Sequence, residues 1–284
     1  MIAAKKGLPD LERRHPEWAP WLAVIREVLE AVQDSEWDAA VPHGNASRSA
    51  HIPLLAQADI EPDRCLIGRL FVNLMQTAGR SGAPAMAGLQ GVTALETAAL
   101  GVFLAALNHD NDRLNEFACG SSVDPEAFRA VAALLPVPFL HACNRRWTSS
   151  VAEGWVEGYC PVCGAWPAFA EVCGIERSRY LRCGNCGGAW QAHCLSCTYC
   201  GMTDHNELAS LAADESGSKS VIDVCNRCHG YLKVFTTLLT SPPANVMLDD
   251  FASVALDLAA AGRGYKRPSS SGYELHARLA EHGA

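Results

Sequence analysis

The sequence lacks the positive charge and the long apolar runs that would point to two common classes of protein. It has 23 lysines and arginines but 31 aspartates and glutamates, which gives a net charge of −8. Proteins that bind duplex nucleic acid usually carry a basic field, so this balance argues against that class. The most apolar stretch, residues 84–107, contains a glutamate and a glutamine. It is typical of a buried helix rather than of a membrane span, and we expect no membrane insertion.

The motifs of several enzyme classes are also missing. The chain has no phosphate-binding loop, no dinucleotide-binding glycine fingerprint and no nucleophile elbow. Its N-terminal residues have no apolar core of signal-peptide length, and Glu12, Arg13 and Arg14 follow at once. We therefore expect a cytoplasmic location. The 49% apolar content is high enough for a packed core.

Cysteine is the residue that the chain has in excess, with 13 among 284 residues. Cytosolic thiols are kept reduced, so many cysteines in such a protein indicate metal binding rather than disulfides. Cys65, Cys119 and Cys143 lie singly in the first half, and the other ten fall between Cys160 and Cys228. We expect the three single cysteines to be packing residues.

Eight cysteines form four Cys-x-x-Cys pairs: Cys160/Cys163, Cys183/Cys186, Cys197/Cys200 and Cys225/Cys228. A tight turn with this spacing aims both sulfurs at one point, and two such turns make a tetrahedral four-thiolate site. Glycine follows three of the pairs and His229 follows the fourth, at a position where such turns often need a positive φ. Four thiolates suit zinc and also a single iron ion of the rubredoxin type. A cysteine-rich core and redox disulfides are the alternatives.

The spacing of the pairs predicts which ones share a metal. Nineteen residues separate Cys163 from Cys183, and 24 separate Cys200 from Cys225, whereas only ten separate Cys186 from Cys197. The longer gaps suit ribbon-type sites, so we expect the first pair to join the second and the third to join the fourth. An interleaved arrangement stays open. The two halves resemble a repeat, which we expect to be related by a pseudo-twofold axis.

Five other cysteines and histidines lie in the metal region outside the pairs: Cys173, Cys194, His193, His205 and His229. We expect packing or surface roles for them, with Cys194 as a competing ligand and the histidines as variant ligands left open. Four aromatic residues are expected to pack against the metal turns, with base stacking as the alternative: Tyr159, Trp166, Trp190 and Tyr231.

The hydrophobic pattern predicts helices before and after the cysteine region. Apolar residues recur at steps of three and four over residues 17–32, 66–75 and 92–107, with Asp63 as the cap of the second helix. Asp124-Pro125 begins a fourth helix, and a fifth runs from about Phe139 to Val151. Residues 245–262 form a C-terminal helix with Asn245 as a candidate cap, and a short helix is expected near Leu275.

These elements predict an α+β fold in which a helical N-terminal domain precedes two tandem rubredoxin-like, or zinc-ribbon-like, metal modules and a C-terminal helix. The expected boundaries are 1–152 for the helical domain, 153–194 and 195–240 for the two modules, and 241–284 for the C-terminal helix and tail.

Four segments of the metal region together resemble one known family. They are Tyr159-Cys-Pro-Val-Cys-Gly-Ala165, Tyr180-Leu-Arg-Cys-Gly-Asn-Cys186 leading to Trp190, Cys197-Thr-Tyr-Cys-Gly201 and Cys225-Asn-Arg-Cys-His-Gly-Tyr-Leu-Lys233. This ordered set is similar to the FdhE family of formate dehydrogenase accessory proteins, and the resemblance covers nearly the whole chain.

The resemblance implies a cytoplasmic assembly factor that binds the catalytic subunit of a respiratory, molybdenum-containing formate dehydrogenase before twin-arginine export. It implies that the eight paired cysteines are metal ligands, with iron favoured over zinc and a redox role open to the metal. No catalytic residue carries over, so the protein is not expected to be an enzyme. A zinc-ribbon module that binds nucleic acid and a rubredoxin-like electron carrier are the alternative functions.

Overall fold

The computed structural model describes residues 3–42, 50–152, 154–212 and 220–280. The chain divides into two compact units. The helical unit comprises Met1–Asn45, Leu55–Arg146 and Glu274–Ala284, and the sheet unit comprises Ala46–Leu54 and Trp147–Tyr273. The expected α+β class, with helices first and the cysteine-rich sheet after them, is confirmed. The finer division into four segments stays a prediction.

Short amphipathic helices pack around one another in the helical unit. The stripe predicted over residues 17–32 is real, since Leu22, Ile25 and Val28 are almost fully buried. The helices are α1 Ala3–Arg14, α2 Ala19–Val32, α3 Glu36–Ala39, α4 Arg64–Arg80, α5 Ala99–Leu107, α6 Asn111–Ser121, α7 Pro125–Ala132 and α8 Val137–Trp147.

Two of the predicted helix starts are confirmed by their capping hydrogen bonds. The Asp63 carboxylate accepts from the backbone N–H of Cys65 at 2.7 Å and of Leu66 at 3.2 Å. The Asp124 carboxylate accepts from the N–H of Ala127 at 2.8 Å, and Pro125 follows the cap. Each carboxylate satisfies N–H groups that have no partner within the first turn of the helix.

The central helix predicted over residues 92–107 is only partly α-helical. Pro84–Ala98 winds as a 3-10 helix, and α-helix begins at Ala99. The 3-10 coil is narrower than an α-helix, and it lies close against α4. A Cβ atom on Gly79 of α4 would lie 2.4 Å from the backbone nitrogen of Gln90. The glycine therefore permits this approach.

One helical stretch among the described residues, Pro125–Ser150, is long and apolar enough to cross a membrane by length and composition. This is weak evidence for a span, because 72% of its most apolar window is buried inside the protein. Core helices of globular proteins pass the same test.

The end of the chain adds a strand to the helical unit in place of the short helix expected near Leu275. β1 Asp59–Ile60 pairs in parallel with β8 Arg278–Leu279. The backbone N–H of Arg278 donates to Ala58 O at 2.9 Å. That of Ala280 donates to Ile60 O at 3.0 Å. The prediction was wrong because these distant backbone partners leave no local signal in the sequence.

A six-stranded sheet in the order β4-β3-β2-β7-β6-β5 forms the second unit. Its strands are β2 Pro167–Cys173, β3 Ser178–Cys183, β4 Ala189–Gln191, β5 Leu208–Ala212, β6 Ser220–Cys225 and β7 Tyr231–Thr237. All neighbouring strands are antiparallel except β2 and β7, which run parallel at the junction of the two halves.

The two halves repeat head to tail, which corrects the expected pseudo-twofold axis. In chain order the second half contains β5, β6 and β7. These strands correspond to β2, β3 and β4 of the first half, respectively. A twofold axis would pair equivalent strands in antiparallel fashion. At the junction, β2 instead pairs in parallel with β7, which is not its equivalent strand. The second half is therefore related to the first by a translation across the sheet.

The predicted C-terminal helix covers one sheet face but is broken into α9 Val246–Ala252 and α10 Val254–Ala261. Ile222, Val224, Tyr231 and Ala260 form the buried cluster beneath it. At the break, the Ser253 hydroxyl bonds to carbonyls of the preceding turn at 2.8 and 3.0 Å.

Asn245 does not cap the C-terminal helix as predicted. Its backbone is already in the right-handed helical region, and its side chain makes no capping hydrogen bond. Its buried Oδ1 atom has no partner among the described residues.

A charged network holds these helices against the sheet. The fully buried Lys233 ammonium of β7 contacts the carboxylates of Asp250 at 2.7 Å and Asp257 at 2.9 Å. Arg267 bridges the same two carboxylates at 2.7 and 2.8 Å, and the Tyr231 hydroxyl donates to Asp257 at 2.7 Å. Burial favours the neutral acid, but hydrogen bonds from Lys233 and Tyr231 keep the pKa of Asp257 below its usual value. The positive charges of Lys233 and Arg267 therefore neutralise the two carboxylates of Asp250 and Asp257.

Replacing Lys233 with methionine should destabilise the sheet unit by about 3 kcal/mol, because two carboxylates lose their buried partner. Hydrogen exchange of the β6 and β7 amides measures this change. The control is Arg263→Met, which removes an exposed guanidinium just after α10 that donates to the Ala259 carbonyl, and should leave the exchange unchanged. Equal protection in the two variants would show that the network contributes nothing.

Candidate metal centres

The structure brings the eight paired cysteines together in two groups. Cys160, Cys163, Cys183 and Cys186 form the first cluster, and Cys197, Cys200, Cys225 and Cys228 form the second. Within each cluster the four sulfurs lie within 4.8 Å of one another. The arrangement is sequential, as the spacing predicts, and not interleaved.

The sulfur geometry fits a tetrahedral ion. With a metal–sulfur bond of about 2.3 Å, tetrahedral sulfurs lie about 3.8 Å apart. The sulfurs of Cys160 and Cys186 are 3.5 Å apart, and those of Cys163 and Cys183 are 3.4 Å apart. In the second cluster the corresponding distances are 3.6 Å for Cys197 and Cys228 and 3.8 Å for Cys200 and Cys225. Four thiols without carboxylate or imidazole favour a soft or borderline ion such as zinc or iron.

One local turn, here termed a knuckle, carries each cysteine pair. In the first three knuckles the N–H of the glycine after the pair donates to the carbonyl of the first cysteine, at 2.9 to 3.0 Å. The residue at this position has a positive φ in all four knuckles: Gly164 +69°, Gly187 +71°, Gly201 +70° and His229 +53°. The left-handed backbone turns the chain back so that both sulfurs face one point.

Elements outside the knuckles hold the first cluster in place. Arg182, directly before Cys183, is fully buried and forms an ion pair with Glu171. Its guanidinium also donates to the carbonyls of Gly187 at 3.3 Å and of Ser241 at 2.7 Å. This side chain links the second knuckle to β2 and to the segment that leads into α9. Sequence reasoning missed both charged residues, and a charge beside a ligand cysteine was the available signal.

The sulfurs of the first cluster influence one another's protonation. Hydrogen bonds from the Cys160 and Cys163 thiols lower the pKa of Cys183 well below its usual value. The hydrogen bonds of Cys163 with Cys160 and Cys183 raise its own pKa instead. Metal ligation requires thiolates, so metal affinity should fall as the pH falls.

The other candidate residues lie outside both clusters. Cys143 is buried in the first unit, but Cys65 and Cys119 are exposed on its helices, so the expectation that all three are packing residues was wrong for those two. Five more are absent from any metal-ligating group that the described residues form: Cys173, Cys194, His193, His205 and His229. The Cys173 sulfur lies 3.3 Å from the Thr237 hydroxyl, so it has a packing partner within the sheet.

The aromatic residues pack against the knuckles. Tyr159 and Trp166 meet edge to face at 6.0 Å, and Trp166 meets Tyr199 at 5.2 Å. The hydroxyl of Tyr199 donates to Tyr231 O at 2.9 Å, which links the third knuckle to β7. The Trp190 ring is 4% exposed, and its N–H donates to the carbonyl of Glu157. Sequence reasoning overlooked Tyr199, although it lies inside a cysteine pair.

Comparison with known proteins finds similarity to FdhE proteins over part of the sequence and a shared fold along most of the chain. Residues 195–273, which include the second cluster, match the family model described as FdhE, C-terminal domain. The resemblance to the FdhE family is therefore confirmed. An FdhE homolog of Aquifex aeolicus is 30% identical over 149 residues, which are 51% of each chain. An FdhE homolog of Pseudomonas aeruginosa is 35% identical over 154 residues, 48% of this chain and 50% of the relative.

The structural similarity to an FdhE protein covers more of the chain than the sequence matches do. The crystal structure of the FdhE protein from Pseudomonas aeruginosa aligns with a TM-score of 0.56 and 22% identity. The alignment covers 96% of this chain and 94% of that one, and it shows a shared fold. The sequence matches are shorter, because the chain spans between about a third and half of the length of the curated relatives it matches.

Single substitutions should separate the two clusters by their metal content. Cys160→Ser and Cys183→Ser should each lose the same ion, whereas Cys197→Ser and Cys225→Ser should each lose the other. Metal analysis of the purified variants counts the ions. Cys173→Ala is the matched control, since this cysteine lies in β2 outside both clusters and should retain both. Loss of one common ion in Cys183→Ser and Cys197→Ser would contradict the assignment.

Proposed function

We propose that this protein is a cytoplasmic accessory protein for the maturation of a respiratory formate dehydrogenase, and that it binds the catalytic subunit of that enzyme before export. The observation that carries the proposal is the FdhE match over residues 195–273. The shared fold along 96% of the chain adds support. The protein acts by recognising a client protein and has no catalytic residues of its own.

Two metal ions held by the eight cysteines would stabilise the client-binding unit. Four thiolates around an ion leave no open position for water or substrate, so the clusters do not suit hydrolytic chemistry. Iron in such a site can transfer one electron, and zinc cannot. The resemblance favours iron, which leaves a redox contribution to maturation as part of the proposal, with zinc as the alternative.

The surface of the sheet unit suits a protein client better than a nucleic acid. Residues 155–235 contain 6 basic and 8 acidic residues, a net charge of −2, so the electrostatic contribution to phosphate binding is small. Exposed apolar side chains are present instead. Ile175, Leu238 and Leu239 are 101%, 85% and 84% exposed. The N–H of Gly174 donates to Thr237 O at 3.1 Å, which places all three at the same end of the sheet. Apolar side chains at one surface favour protein contacts.

A rubredoxin-like electron carrier is the second candidate function. The partial exposure of the second cluster supports it, since Cys200 lies at the surface. An electron carrier needs iron in that cluster, whereas the accessory function requires only that the folded surface binds its client.

Tagged protein purified from its native host should recover the catalytic subunit of a formate dehydrogenase. The double variant Leu238→Ser/Leu239→Ser should recover less, because apolar contact area is lost. Leu258→Ser, on α10 and 69% exposed, is the control and should recover as much as the unaltered protein. Zinc-substituted protein that still binds the subunit but yields no active enzyme would assign a redox role to the metal.

A filter-binding assay at about 150 mM salt tests the competing nucleic-acid function. We expect no binding in the micromolar range. Tight nucleic-acid binding together with failure to recover a dehydrogenase subunit would overturn the proposed function in favour of a zinc-ribbon module.

A further inference from the structure

The two clusters share one geometry but differ in their access to solvent. All four cysteines of the first cluster are buried, with Cys163 the most exposed at 2%. In the second cluster Cys197 and Cys225 are buried, Cys228 is partly exposed and Cys200 is exposed. A donor from solution can therefore approach the second cluster without unfolding the unit, but not the first.

Equivalent knuckles in the two halves differ in the packing around them. Gly164 and Gly201 occupy the same position after the first and third cysteine pairs and have nearly the same φ. A Cβ atom on Gly164 would lie 2.9 Å from the Tyr273 Cβ, and the Gly164 carbonyl accepts from the Tyr273 N–H at 3.0 Å. No described atom lies within 4 Å of the same point on Gly201. The first knuckle is enclosed by another chain segment, whereas the end of the third borders open space.

The third knuckle is nevertheless anchored at its middle. The Tyr199 ring contacts Trp166, and its hydroxyl donates to the carbonyl of Tyr231. Cys200 therefore lies between an anchored residue and an unpacked glycine.

An open cleft leads to the same cluster. It has a volume of about 470 Å³, and the strand residues Leu208, Ser210 and Leu232 line part of it. Cys197 and Cys225, two of the four cysteines, line it together with the exposed Cys194. The ion pair between Arg179 and Asp223, at 2.7 Å, forms a polar part of its wall. The volume is enough for a ligand the size of a tripeptide.

We propose that the second cluster is an exchangeable metal site that opens into this cleft and accepts an incoming thiol in place of Cys200, whereas the first cluster is a permanent structural site. The inference rests on metal ligation by the clusters and not on the identity of the client. The ligand class is a thiol carried on a short peptide, either a free thiol such as glutathione or a cysteine side chain of a longer polypeptide.

The exchange balances without an oxidant or a reductant. Cys200 leaves the ion as its sulfur–metal bond breaks and the bond to the incoming sulfur forms. The incoming thiol gives up its proton, and the departing Cys200 thiolate takes it up. Four thiolates surround the ion before and after, so the charge of the site does not change.

Metal release to a chromogenic chelator tests the proposal on the full-length, metal-loaded protein. Release should have two phases of one ion each, the first about tenfold or more faster, because local opening is easier than opening of a buried core. Reduced glutathione should accelerate the fast phase alone. S-methyl glutathione, which has no free thiol, should have no effect.

Matched variants identify which ion belongs to which phase. Cys200→Ser should remove the fast phase and keep the slow ion, and the equivalent change Cys163→Ser should remove the slow ion and keep the fast one. The retained ion reports that the rest of the unit is folded. A single rate for both ions, or faster release from the first cluster, would overturn the inference while leaving metal binding intact. If no ion is bound at all, both the ligation and the exchange fail.

Alkylation with mapping of the modified peptides provides a second measurement. In a Cys65→Ser/Cys119→Ser/Cys194→Ser background, which removes the exposed cysteines outside the clusters, Cys200 should be modified before any cysteine of the first cluster. A ten-residue peptide with one cysteine, compared with glutathione in the release assay, distinguishes the two sources of thiol. Stronger acceleration by the peptide indicates a polypeptide cysteine, equal acceleration indicates a small thiol, and no acceleration by either overturns thiol entry.

Discussion

The convergence of four sulfur atoms on one point is the constraint on which the sheet unit depends. Each knuckle must turn the chain through a left-handed residue to aim two sulfurs together, and the strands must bring two knuckles face to face. Small modules of this kind bury little apolar surface, so metal bound by the clusters would contribute directly to their folding free energy. The hairpins of the sheet therefore bring the sulfurs together, and metal bound by the sulfurs would in turn stabilise the hairpins.

Charged side chains contribute the second part of the architecture. Arg182 with Glu171, and Lys233 with its two aspartates, lie where the sheet meets the segments that cover it. An uncompensated charge at these places would be costly, so the C-terminal helices have one favourable position on the sheet. Of these side chains, Arg182 also holds the second knuckle of the first cluster through the Gly187 carbonyl. Cys200 of the second cluster lies at the surface, whereas all four cysteines of the first cluster are buried.

Much of the local structure could be predicted from residue types alone. Asp63 and Asp124 cap helices because a carboxylate before an amphipathic run has few better local partners. The sequential grouping of the cysteines followed from the distances between pairs. Other expectations were wrong where distant contacts decide the outcome. Asn245 caps nothing, and the repeat runs head to tail rather than about a twofold axis.

The sequence by itself determined the candidate ligands and the four turns, because these depend on residues within a few positions of one another. It also carried the family resemblance. Only the tertiary structure decided that β2 and β7 join the two halves, that Tyr273 encloses the Gly164 turn, and that the Gly201 turn borders open space. These features depend on which distant segments pack together. Packing of this kind leaves no periodic or compositional trace in the chain, and so the difference between a closed and an open cluster appears only in the folded protein.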